Sequence, residues 1–114
     1  MIKSQYILDI LNLLLDQEGT ENAKNQIQYL TDADYNYTGT GVYITFKATE
    51  NIKEDYLSKK SVIKGINIES KELEIGATAL VFCNHGIIET LEIAAYGELY
   101  PKKDLTDYTL LLDS

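Results

Sequence analysis

The feature that most limits what this chain can fold into is a change of hydrophobic period near its start. Over residues 4–17 the apolar side chains recur at helical spacing. Tyr6, Ile7, Leu8, Ile10, Leu11, Leu13, Leu14 and Leu15 cover most of a helical wheel, and Gln5, Asp9, Asn12 and Asp16 share one narrow polar stripe. Ser4 is placed to cap the helix and Gly19 to stop it. So apolar a helix must be covered on more than one side, by a sheet, a loop, the C-terminal segment or a second copy of the chain.

Beyond Gly19 the period becomes two. Residues 26–37 and 42–49 read as paired strands around a Gly39-Thr40-Gly41 turn. In the second, Val42, Ile44, Phe46 and Ala48 face one side and Tyr43, Thr45, Lys47 and Thr49 the other. Residues 50–60 read as a polar loop. Further strands are predicted over 62–68, 73–83 and 87–96, with a short last strand or an extended tail over 108–112. Asn84-His85-Gly86 suits a three-residue hairpin turn closed by a left-handed glycine in a bulge. The expected fold is α+β: one domain over 1–114, with an N-terminal helix packed on a mostly antiparallel meander of about five or six strands.

Charge narrows the function. Eighteen acidic residues face ten basic ones, a net charge of −8, and all ten are lysine. Nucleic-acid binding draws on phosphate contacts from Lys and Arg, so neither nucleic acid nor an anionic membrane is an expected partner; a basic protein is. Cys83 is the only cysteine, which fits a reducing compartment. Asp9, Asn12 and Asp16 break the early apolar run, so it reads neither as a signal peptide nor as a membrane span. The expected location is the cytoplasm.

Several fragments suggest chemistry and fall short of it. Asp32, Asp34 and Asn36 begin an EF-hand-like calcium pattern, but Tyr37 and Tyr43 stand where Gly and a bidentate Glu are required. The stretch reads instead as a strand showing Asp32, Asp34, Asn36 and Thr38 to solvent and turning Ala33, Tyr35 and Tyr37 inward. Cys83 and His85 are close in sequence but lack an orienting third group, and they supply too few ligands for zinc. Gly39-x-Gly41 lacks the third glycine and the helix of a phosphate loop. Glu89 and Glu92, three apart on a strand, point to opposite faces. No metal, cofactor or enzymatic activity is expected. Nine tyrosines beside two phenylalanines and no tryptophan suit half-buried strands or a protein interface.

Residues 66–110, INIESKELEIGATALVFCNHGIIETLEIAAYGELYPKKDLTDYTL, carry a resemblance. Leu73-Glu74, Gly86-Ile87-Ile88, Leu91-Glu92-Ile93 and the run from Tyr96-Gly97 to Tyr100-Pro101 look like small bacterial immunity proteins paired with secreted or contact-delivered toxins. Weaker echoes lie at Tyr29-Leu30-Thr31 and Thr38-Gly39. The resemblance implies a protein that binds and blocks a cognate toxin, for which a basic nuclease would be a fitting target. The candidate contact residues are Asp32, Asp34, Tyr35, Glu89, Glu92, Glu98, Tyr100 and Asp107. The alternative is a small-molecule-binding or enzymatic domain with a pocket between helix and sheet; a homodimer through helix 4–17 is a third arrangement.

Overall fold

The computed structural model describes residues 1–17, 21–49, 52 and 61–113. The expected helix stop at Gly19 and nearly all of the expected 50–60 loop lie outside these residues. Helix α1 spans Gln5–Gln17 and a short α2 spans Glu21–Asn25, followed by a 3-10 turn at Ile27–Tyr29. Six strands follow: β1 (Leu30–Tyr37), β2 (Gly41–Ala48), β3 (Val62–Glu69), β4 (Ala77–Asn84), β5 (Ile87–Ala95) and β6 (Thr109–Leu112). They form one antiparallel sheet in the order β1-β2-β5-β4-β3-β6. The α+β expectation holds, with two shifts. Residues 26–29 turn rather than extend, and β4 begins at Ala77, four residues later than expected.

Ser4 caps α1: its Oγ accepts the Ile7 N–H at 3.2 Å and its carbonyl accepts the Leu8 N–H. The helix lies over β3 and β4 and against α2. Ile7, Ile10, Leu11, Leu14 and Leu15 are fully or almost fully buried, each worth about 1.5–3 kcal/mol of transfer free energy. The second flank is closed by the C-terminal loop. The Tyr6 and Tyr100 hydroxyls hydrogen bond at 2.8 Å, the Tyr6 and Tyr108 rings pack with centroids 4.7 Å apart, and Tyr108 donates to Asp9 at 2.6 Å. The apolar girth of the helix is thus consumed inside one chain. Gln5, Asn12 and Asp16 remain outermost among the helix's described side chains, with Leu8 and Leu13 half-buried.

The β1–β2 hairpin forms as its glycines require. Gly39 has a φ of +96°, and a Cβ on Gly41 would lie 2.1 Å from the Ile93 carbonyl oxygen, so one glycine turns the chain and the other lets β5 approach. Gly39-x-Gly41 therefore serves the hairpin. The β4–β5 connection differs from expectation. His85 and Gly86 both have positive φ (49° and 79°), and Asn84 pairs directly with Ile87. This is a two-residue type I′ turn, and the extra residue is Glu89 in β5, opposite the step from Phe82 to Cys83. The type I′ turn matches the right-handed twist of its strands, and His is one of the residues that enter the left-handed region most readily.

Candidate functional site

Directly opposed residues in neighbouring strands project from the same side of a sheet. The helix-covered side carries Val42, Ile44, Val81, Ala79, Ile66, Ile68, Leu91 and Ile93, all buried. The other side has no described element over it. Three cross-strand rows define that uncovered side: Asn36–Tyr43–Glu92–Leu80–Lys64, Asp34–Thr45–Thr90–Phe82–Val62, and Gly41–Ala94–Thr78–Asn67–Leu111. An antiparallel sheet with one wet face ordinarily shows polar residues there. This one shows Phe82 36% exposed, Tyr43 37%, Val62 40% and Leu111 40%, with half-buried Leu80 among them.

The face is divided laterally. Val62, Phe82 and Leu80 lie on adjoining rows of β3 and β4 with Lys64 beside Leu80, and Leu111 stands apart on β6 beside Asn67. Asp34, Asn36, Tyr43, Thr45 and Glu92 lie on β1, β2 and β5. The Tyr43 hydroxyl donates to the Glu92 carboxylate, which raises the phenol pKa above its ordinary value. An apolar centre beside a rim of carboxylates and aromatic hydroxyls is the usual anatomy of a protein-binding surface.

The structure divides the eight candidate residues. Asp34 and Glu92 share the uncovered face. Asp32 does not join them, because the ladder shifts between Asp32 and Asp34 and turns it to the helix side opposite Phe46. There it accepts the Tyr35 hydroxyl at 2.7 Å, while Tyr35 stacks on Tyr37 at 6.3 Å. This corrects the expected alternation, in which Asp32 faced solvent and Ala33 the core; Ala33 is the extra, exposed residue. The shift also sends Asp32 and Asp34 to opposite sides, so the start of the calcium-like pattern does not converge.

The loop candidates have structural work. Tyr100 is buried, 5% exposed, with its pKa raised by burial, so its ring is not available to a partner. The Glu98 carboxylate accepts the backbone N–H groups of Glu74, Ile75 and Gly76 at 2.6–3.1 Å. These bonds hold it below the usual carboxylate range. Glu72 clamps the same loop from its other end. It accepts Lys103 Nζ at 2.5 Å and the Thr106 and Asp107 N–H groups, and its pKa falls to about 2. Asp107 is exposed and lies 3.9 Å from Lys71.

Glu89 stands at the bulge and lines an open cleft of about 290 Å³ where β2 and β5 part, with Leu30, Phe46 and Ile88 as its apolar wall. That cleft lies between strands rather than between helix and sheet. Beside it, the buried Gln26 side chain bridges the hairpin: Oε1 accepts the Ile88 N–H at 3.0 Å and Nε2 donates to the Gly86 carbonyl at 2.5 Å. Cys83 lies on the core side at the end of β4, where burial first and Glu89 second push its thiol up to about 11. His85 occupies the exposed turn.

Sequence reasoning overlooked Phe82, Leu80, Val62 and Leu111. A signal existed: in 77–84 both parities are apolar, Ala77, Ala79, Val81 and Cys83 on one and Leu80 and Phe82 on the other, the pattern of a strand covered on both faces.

Together these features define an open-faced two-layer α+β domain. No protein family, curated protein or solved structure matches the chain. Among the described residues no helix is long and apolar enough to cross a membrane.

Proposed function

We propose that this protein works by binding another protein through the uncovered sheet face, as an immunity protein that neutralises a basic toxin. The observation that carries the reading is the exposed Val62–Phe82 pair, with half-buried Leu80 on the next row, on the face that also carries Asp34, Tyr43 and Glu92. Apolar side chains there gain by being covered, and the rim discriminates among partners by charge. A net charge of −8 without arginine supports a basic partner, as does the resemblance in residues 66–110. A nuclease toxin fits, since its substrate groove must be cationic to hold phosphates and a carboxylate-rich face competes for that groove.

The test is co-expression with the toxin encoded next to this gene. Wild type is expected to protect cells and to co-purify with the toxin at equal stoichiometry. Phe82→Glu, on an exposed site, is expected to fold and to lose protection. Absence of protection and of binding by the wild type against the neighbouring toxin would remove the reading.

The cleft between β2 and β5 favours a second reading, a small-molecule site using Thr45, Glu89 and Thr90. It predicts that Glu89→Gln alters ligand binding and leaves toxin protection intact.

A further inference from the structure

The two edges of the sheet are built differently. β1 is interrupted by the shift at Ala33 and carries Asp32 and Asp34, devices that discourage strand addition. β6, four residues long, has neither the bulge nor the charges. Its register with β3 runs unbroken from Thr109 to Leu112, and it contains no charge, proline or glycine between those residues. Among the described residues no strand pairs with its outer edge. Asp113 donates its N–H inward to the Gly65 carbonyl at 2.8 Å, so strand alternation turns the N–H groups of Leu112 and Leu110 outward. Leucine also appears on both faces: Leu111 on the uncovered side, 40% exposed, and Leu112 on the helix side, 48% exposed. That is the composition of an interior strand placed at an edge.

We infer that β6 accepts an extended segment of the basic protein partner as a seventh strand, with the segment's lysines or arginines set against the carboxylates that flank β6. This rests on the protein-binding reading and adds to it the place and mode of contact. Charge decides between a partner strand and a second copy of this chain. Glu69, Asp107 and Asp113 surround the edge, and Lys71 is the basic residue beside Asp107. An antiparallel self-pairing centred on Leu110 would set Asp113 of each copy directly opposite Asp107 of the other, and like charges opposed across a ladder destabilise it. A cationic strand meets the same carboxylates favourably. Leu111 then offers the incoming strand an apolar side chain on the uncovered face.

The probe is a synthetic acetylated peptide amide, Lys-Val-Thr-Val-Thr-Val-Lys, titrated into isotope-labelled protein and followed by amide chemical shifts. Shifts are expected in β6 and β3. The counterpart with Glu for both Lys, and the original peptide N-methylated on its valines, are expected not to bind. Leu112→Pro removes an outward N–H without touching the ladder to β3 and is expected to weaken binding by about tenfold or more, with its fold checked by thermal unfolding. The N-methylated peptide carries the same test should that variant unfold. Absence of shifts in β6, or equal binding of the acidic peptide, would overturn the proposal. So would a concentration-dependent dimer that Leu112→Pro abolishes, since the occupant would then be a second copy. A folded Leu112→Pro that still protects against the toxin removes the β6 contact alone. A wild type that binds the peptide but protects against nothing removes the neutralising role alone.

Discussion

Tyr43 and Glu92 oppose each other across β2 and β5 on the uncovered side of the sheet, and the tyrosine hydroxyl donates to the carboxylate. The bond fixes a negative charge beside an apolar surface rather than inside it. Glu92→Gln removes that charge and keeps the shape. Association with a basic partner is expected to slow by less than about tenfold at low ionic strength, with the difference shrinking as salt rises. Stopped-flow binding at several salt concentrations checks this; a salt-independent loss would mean that Glu92 acts by packing.

Gln26 holds the β4–β5 hairpin through two backbone bonds from a buried side chain. Gln26→Ala leaves the Ile88 N–H and the Gly86 carbonyl without that partner. The expected cost is about 1–3 kcal/mol, read as a lower urea midpoint with an unchanged denaturant slope. A change below a few tenths of a kcal/mol would show that water replaces the amide.

Two glutamates set the acid limb of stability. Glu72 titrates near about 2 when folded against 4.5 as its ordinary value, and Glu98 is also lowered. A depressed folded pKa means that unfolding takes up protons as pH falls. The stabilisation is therefore present above about 4.5 and lost as pH drops toward about 2. Glu72→Gln is expected to lower stability at neutral pH and to flatten the decline in this window. Thermal melts across it provide the check, and parallel curves for variant and wild type would contradict the clamp.

The alkaline limb belongs to the tyrosines at the flank of α1. Burial and the Asp9 bond push Tyr108 up to about 12, and burial raises Tyr6 and Tyr100 as well. Here the folded pKa lies above the unfolded one, so stability is full below pH 10 and falls as pH rises beyond it. Tyrosinate absorbance for these three residues is expected to rise together with loss of helix signal. Gradual ionisation in a folded protein would contradict their burial.

Much of the fold was legible because periodicity survives wherever one face is buried. The wheel over 4–17, the alternation of Val42, Ile44 and Phe46, and the hairpins around Gly39 and His85-Gly86 each followed from a local pattern. The errors lie where an added residue breaks the period. Ala33 and Glu89 shift their registers by one, and no residue at either position announces it, so simple alternation points Asp32 to solvent and makes the His85 turn one residue too long. The candidate site was less legible. Its residues were chosen for charge and aromaticity, whereas the structure employs Glu98, Tyr100 and the carboxylates nearest the C-terminal loop to hold that loop in place. Val62, Leu80, Phe82 and Leu111 resemble core residues, because composition carries no record of which face a second layer covers.

The most direct test of the account is the affinity of purified toxin for wild type and for Phe82→Glu, measured by titration calorimetry on protein shown to be folded. A charge at the centre of the apolar group is expected to cost about 2 kcal/mol or more, roughly a thirtyfold loss, while the exposed Asn12→Glu on α1 changes nothing. Equal binding by Phe82→Glu, or loss on Asn12→Glu instead, would place the contact elsewhere and contradict the claim that the uncovered sheet face is the binding surface.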